Sequence, residues 1–160
     1  MKSPDDNFHK ALQYAFLLLR YRDRSEREIY ERLNKKGFAE ESGHKVGSYL
    51  KEKGFINDTR YAESLKRIAI EQMYLGRRGV VHYLLAKGIP DEIVEGISGT
   101  DEEYLDTAGK LVEKKMRHLK GLDESVTRRR LWEALLRKGY SSGIIKKALS
   151  SHFRDDECEF

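Results

Sequence analysis

The stretch Ile29-Tyr30-Glu31-Arg32-Leu33-Asn34-Lys35-Lys36-Gly37-Phe38 decides the fold, because the chain contains it three times. It returns as Val80-Val81-His82-Tyr83-Leu84-Leu85-Ala86-Lys87-Gly88-Ile89 and again as Leu131-Trp132-Glu133-Ala134-Leu135-Leu136-Arg137-Lys138-Gly139-Tyr140. The three glycines are spaced 51 residues apart. In each copy an apolar residue stands eight before the glycine, Leu four before it, Lys directly before it and a large apolar residue directly after it. A spacing of four puts both apolar positions on one helix face. Glycine then ends the helix, since it takes the left-handed conformation without a Cβ penalty. Lysine in the last turn suits the negative end of the helix dipole. A fixed period of this length indicates a repeat architecture.

The flanking sequence fills in the unit. Phe8 to Tyr21 reads as a first helix with a wide apolar surface. Ser25 and Glu28 form a capping box for the motif helix. The period carries Ser25 onto Gly76 and Thr127, residue types that tolerate or favour an N-cap, while the third motif helix itself reads as Asp123 to Lys138. A third helix covers about Ser42 to Lys53 and Gly54 stops it. In the second unit Asp58 is the expected N-cap of a long helix running to about Tyr74. Gly76-Arg77-Arg78-Gly79 reads as a turn, and Pro90 opens a short helix. Thr100 and Glu103 form another capping box, and Ser141 caps the last helix. Three columns recur at intervals of 51: Tyr14, Leu65 and Met116, then Leu17, Ile68 and Leu119, then Ala11 and Ala62, where the third copy has Glu113. The expected architecture is all-α, three tandem three-helix repeats forming an elongated curved array, with boundaries at 8–54, 55–98 and 100–151. Residues 1–7 and 152–160 are expected to be flexible ends. Units this small are marginal alone and lean on their neighbours.

Composition narrows the function. Charged residues are 36% of the 160, the apolar class 39%, and the net charge is only +4. The charge is unevenly placed. Lys114 to Lys138 holds nine Lys/Arg against three Asp/Glu, whereas Asp91 to Asp106 holds seven acids and no base. Such a chain separates a basic surface from an acidic one. Cys158 is the only cysteine, which fits a reducing compartment and a cytoplasmic protein. No apolar run is long enough to span a membrane, and no signal peptide is recognisable. The five histidines show no metal-ligand spacing, and no cofactor is expected. There is no phosphate-binding loop followed by Lys-Ser/Thr and no Gly-x-Ser-x-Gly, so an enzyme is not expected.

The residues themselves resemble a known family. Arg22-Asp23-Arg24-Ser25-Glu26-Arg27-Glu28 with Leu33 and Lys36-Gly37-Phe38 is similar to the opening signature of the RecX regulators of bacterial RecA recombinase. Gly54-Phe55-Ile56-Asn57-Asp58-Thr59-Arg60-Tyr61-Ala62 resembles that family's entry to its second repeat. Gly76-Arg77-Arg78-Gly79 with Leu84 and Lys87-Gly88-Ile89 resembles its second motif helix. The likeness spans about Ala11 to Leu149. Val80 departs from the turn residue the family often has there, and the third repeat keeps only the Leu-x-x-Lys-Gly pattern. The resemblance implies a non-enzymatic modulator, acting as a monomer, that binds the RecA filament on single-stranded DNA. It further implies restraint of ATP hydrolysis, strand exchange and filament growth, in DNA recombination, DNA repair and the SOS response.

The basic turns before each motif helix are the candidate contact residues. They are Arg20, Arg22 and Arg24 in the first unit, Arg60, Arg77 and Arg78 in the second, and Arg128, Arg129 and Arg130 at the opening of the third motif helix. Their chemistry suits phosphates or an acidic protein surface. Arginines in a first helical turn oppose the dipole, a mild cost that hints at an anionic partner. Lys36, Lys87 and Lys138 read as dipole partners, while Trp132 and Tyr61 read as packed. The alternative is a tandem helix-turn-helix DNA-binding protein, which expects an exposed recognition helix rich in Arg, Lys, Asn or Gln in each unit. Pro90 to Ile97 and Ser141 to Leu149 are too short, apolar or acidic for that. A weak direct contact with DNA remains compatible with either reading.

Overall fold

A computed structural model describes residues 4–153, with side chains from residue 6 onward. The helices run α1 Pro4–Tyr21, α2 Glu26–Lys36, α3 Glu40–Glu52, α4 Asp58–Glu71, α5 Arg77–Ala86 and α6 Asp91–Ser98. A 3-10 turn at Asp101–Tyr104 then leads into α7 Leu105–Met116, α8 Glu124–Arg137 and α9 Ser142–Ser150. Among the described residues there is no strand, and the chain is an all-α array of three-helix repeats. None of these helices is long and apolar enough to cross a membrane.

The repeated stretch does what its spacing predicts. Ile29, Leu33, Val80, Leu84, Leu131 and Leu135 are all buried. Gly37, Gly88 and Gly139 take φ of 96°, 79° and 88°. The residue after each glycine donates its amide to the Leu column: Phe38 to Leu33, Ile89 to Leu84, Tyr140 to Leu135. Each glycine amide donates three residues back, to Asn34, Leu85 and Leu136. This double closure satisfies two carbonyls that the helix end would leave open.

The chain divides into two compact units. One comprises Met1–Ser64 with Leu84–Val94, the other Leu65–Tyr83 with Glu95–Phe160. In the first, α1, α2 and α3 all pack together. Its core is Ala11, Ala15, Ile29, Leu33, Val46, Leu50 and Ile56, flanked by half-buried residues that include Phe8, Leu12 and Phe38. In the second, α7, α8 and α9 pack together. Tyr104, Leu111, Val112, Leu131, Leu135, Ile144 and Ile145 are buried there. The Tyr104 hydroxyl donates to the Ser98 carbonyl at 2.7 Å, and burial pushes its pKa up to about 12. The middle triplet α4–α6 is shared between the two units.

Several sequence expectations are corrected. The long helix α4 is capped by Asn57: its carbonyl accepts from Tyr61 and its side chain from Arg60. Asp58 serves α2 instead, accepting the Glu26 amide at 3.0 Å. The third motif helix keeps its expected span from Asp123 to Lys138, and only the Thr127 position carried over by the period is not its cap. Its N-cap is Asp123, which accepts from the Ser125 amide, and Thr127 is a buried residue inside the helix. Leu17 and Ile68, which share a repeat column, are 54% and 36% exposed. At Leu17, Ala11 and Ala15 already fill the inward stripe of α1. Part of the expected end segments falls within the described residues. Residues 4–7 belong to α1, where proline suits a first helical position, and Phe153 is buried. Residues 1–3 and the acidic segment 154–160, with Cys158, lie outside the described residues.

Candidate functional site

The nine candidate arginines separate into two groups. Arg22 is held by the fold. Its guanidinium makes a two-pronged pair with Glu28, at 2.6 Å to Oε1 and 3.3 Å to Oε2, and donates to the Tyr61 hydroxyl at 2.8 Å. The hydrogen bond to Glu28 raises the Arg22 pKa despite partial burial. Burial alone would raise the Glu28 carboxyl, but the Arg22 hydrogen bond, the Ser25 amide and the Arg22 charge hold it below its ordinary value. Ser25 and Glu28 form the expected capping box, so Arg22 is locked onto the helix start it precedes.

Arg24 donates to the Leu18 carbonyl at 3.3 Å, and burial, then the neighbouring Arg22, lower its pKa. Arg77 donates to the Gly99 carbonyl at 2.7 Å. Arg128 lies over the Phe153 ring, 5.2 Å from its centre. These four side chains work as structural clamps. Arg20, Arg60, Arg78, Arg129 and Arg130 are exposed, and their guanidinium groups make no ion pair or hydrogen bond among the described residues. Arg20 and Arg60 belong to the first unit, Arg78, Arg129 and Arg130 to the second. Because α8 starts at Glu124, Arg128 to Arg130 stand in its second turn, where the dipole cost has largely faded.

The turns carrying these residues are fixed by hydrogen bonds the sequence does not display. In the first unit the Ser25 hydroxyl donates to the Lys87 carbonyl at 2.7 Å. In the second, the Gly76 amide donates to the Lys138 carbonyl at 2.9 Å and the Arg78 amide to the Gly139 carbonyl at 3.1 Å. Ser25 and Gly76 are equivalent by the 51-residue period, as are Lys87 and Lys138. The first and second motif helices therefore each start on the Lys-Gly turn that ends the next. The approach is close: a Cβ on Gly76 would lie 2.6 Å from the Tyr140 amide, and one on Gly79 would run into the Lys138 carbonyl. The Gly-Arg-Arg-Gly turn is thus glycine-bracketed for packing, and it leaves Arg78 outside while Arg77 ties back to Gly99.

The lysine column is structural as well. Lys138 donates to the Met73 carbonyl at 2.9 Å and Lys36 lies 5.6 Å from the centre of the Tyr14 ring. Tyr61 is buried and Trp132 half-buried. Tyr30 stacks on His44 with ring centres 4.6 Å apart. No group of three or more His, Cys, Asp or Glu able to hold a metal occurs among the described residues. The first unit has two open clefts of about 600 and 720 Å³, and none of the nine arginines lines either.

The fold and the repeated turns define a protein class, the tandem three-helix-repeat proteins. Comparison with known proteins makes it specific. A sequence model of the first three-helix domain of RecX matches residues 11–46, and one of the third three-helix domain matches residues 101–149. Regulatory protein RecX of Amycolatopsis mediterranei is 31% identical over 156 residues, covering 95% of this chain and 88% of that protein. Regulatory protein RecX of Streptomyces coelicolor is 32% identical over 160 residues, covering 96% and 85%. The crystal structure of RecX from Lactobacillus salivarius superposes with a TM-score of 0.81 at 26% identity, over 92% of this chain and 97% of that one. The chain belongs to the RecX family of regulatory proteins.

Proposed function

We propose that this chain is a non-enzymatic regulator that binds RecA assembled on single-stranded DNA and restrains its ATP hydrolysis, strand exchange and filament growth. The observation that carries the reading is the near full-length alignment with proteins named regulatory protein RecX. The exposed arginines support it. Arg20, Arg60 and Arg78 stand in the last or first turn of their helices and Arg129 and Arg130 in the second turn of α8, all exposed on backbone that is already ordered, so little framework must be ordered on binding. Charged side chains of this kind steer and orient a protein on an anionic assembly. The same chain would touch neighbouring protomers only when they are assembled, which gives avidity for filament over free RecA. It would act as a monomer in the cytoplasm, in recombination, repair and the SOS response, with weak direct contact to DNA. The helix-turn-helix alternative is less well supported, because α6 has eight residues with Asp91, Glu92 and Glu95 exposed and no cation.

The test is the RecA ATPase on single-stranded DNA with this protein titrated below the RecA concentration. Slowing at substoichiometric ratios is expected. A rate that stays constant up to equimolar protein contradicts the reading.

A further inference from the structure

We infer that the acidic segment 154–160 docks on the outer face of α8 as an internal cover, which an anionic partner of that face must displace. The contact is intramolecular and stands by itself; its effect on partner binding rests on the proposed function. The place where the segment begins is fixed by the fold. Phe153 is 7% exposed, and its amide donates to the Leu149 carbonyl at 3.0 Å. Its ring lies against the Arg128 guanidinium, 5.2 Å from the ring centre. The chain therefore leaves the described residues beside the second turn of α8. Next come Arg154-Asp155-Asp156-Glu157-Cys158-Glu159-Phe160, four acids against one base. They follow the end of α9, where the negative pole of the helix dipole disfavours acids and α8 offers cations instead.

The face that α8 turns toward this exit is a stripe. Arg128, Arg129, Trp132 and Leu136 recur at spacings of three and four, which places them on one side of the helix. Arg129 is exposed, and its guanidinium makes no ion pair or hydrogen bond among the described residues. Trp132 is half-buried and Leu136 is 48% exposed, a large apolar surface for the outside of a helix. The acids of the same helix, Glu124 and Glu133, fall to either side of the stripe at about 100° per residue.

The two sequences match in order as well as in charge. From the Phe153 end the stripe reads cations, then an aromatic ring, then Leu136; the segment reads acids, then Phe160. Laid parallel to α8, Asp155 to Glu157 meet Arg128 and Arg129, and Phe160 meets Trp132 and Leu136. The reach is sufficient. Seven extended residues span about 23 Å, whereas Arg128 to Leu136 covers only about 12 Å of helix. Tethering gives the segment an effective concentration on the order of millimolar, an advantage over any free competitor of the same chemistry. Exposed ion pairs are individually weak and screened by salt, so the cover is reversible.

The chain's one cysteine, Cys158, lies in the segment and accepts a nitroxide spin label. The experiment records amide NMR spectra of the labelled full chain, without RecA, at low salt. The amides of Arg129, Trp132 and Leu136 should be broadened by the label. Tethering alone broadens nearby amides, so the reference is a labelled chain carrying Asp155→Asn, Asp156→Asn, Glu157→Gln and Glu159→Gln. Broadening at those three amides should fall roughly twofold or more in the neutralised chain, and likewise in the unmodified chain at ~1 M salt, where the screening length is about 3 Å. Phe160→Ser should relieve Trp132 and Leu136 and leave Arg129 broadened. Inorganic polyphosphate, used as a plain anionic competitor, should release the segment and sharpen all three amides. Equal broadening in the acidic and neutralised chains, or broadening that polyphosphate leaves unchanged, overturns the inference. Because RecA is absent, neither outcome depends on whether the chain binds filaments.

Discussion

The Ser25 hydroxyl donates to the carbonyl of Lys87, 62 residues away, at 2.7 Å, while the same oxygen accepts the Glu28 amide at 3.1 Å. One side chain thus caps its own helix and fastens it to the end of the next motif helix. Ser25 is fully buried. Ser25→Ala removes both bonds and leaves the Lys87 carbonyl without that donor. The expected loss is about 2 to 3 kcal/mol in urea unfolding, more than a helix cap alone contributes. A loss below ~1 kcal/mol would mean the Lys87 bond contributes little.

The three terminating glycines have the same backbone conformation but different neighbours. A Cβ on Gly37 would meet nothing within 4 Å. One on Gly139 would collide with the backbone of Gly79 and Arg78. Gly37→Ala should therefore cost only the left-handed penalty, about 1 to 2 kcal/mol. Gly139→Ala should cost at least ~2 kcal/mol more, because overpacking against backbone is added. Equal losses in thermal melting would show that the Lys-Gly turn is merely a helix stop.

Acid stability should depend on the Arg22–Glu28 pair. The folded carboxyl titrates below its unfolded value, so its contribution is complete above the unfolded pKa, near ~4.3, and is lost as pH falls through the lower folded value. Stability measured against pH should fall below about pH 5, and Glu28→Gln should flatten that limb. Asp58 behaves oppositely. Burial raises its pKa, so its contribution is present below the unfolded pKa and is lost as pH rises through the folded one. Asp58→Asn keeps an oxygen for the Glu26 amide and should be neutral or stabilising at pH 7. A marked loss there would show that the charge itself is needed.

Much of this was legible in the sequence for a physical reason. The Leu-x-x-x-Gly spacing fixes both the inward face and the helix end, and both effects are local. Ser25–Glu28 and Thr100–Glu103 could be read because a capping box is written within four residues, and both form. What could not be read were the contacts between distant segments. Asp58 has the right chemistry for a cap and serves as one, but for Glu26. The 51-residue period carries Ser25 onto Thr127, but the start at Asp123, also read from the sequence, is the one α8 uses. The basic turns looked uniform in sequence because nothing local distinguishes Arg22 from Arg20. Only the fold brings Glu28 and Tyr61 to Arg22.

That division predicts different phenotypes. Arg22→Ala should lower stability by about 1 to 3 kcal/mol, since it breaks a charged hydrogen-bond network. Arg20→Ala and Arg78→Ala should leave the melting temperature within a degree or two, as exposed substitutions usually do. If Arg22→Ala melts like the unmodified chain, its bonds to Glu28 and Tyr61 are not formed in solution.

The most direct test of the central claim is co-sedimentation with RecA filaments on single-stranded DNA. The unmodified chain is compared with a variant in which Arg20, Arg60, Arg78, Arg129 and Arg130 are replaced by Gln. The account predicts that the unmodified chain pellets with filaments and not with free RecA, and that the equally stable variant binds at least tenfold more weakly. An unmodified chain that stays in the supernatant, or a variant that pellets equally well, would contradict it.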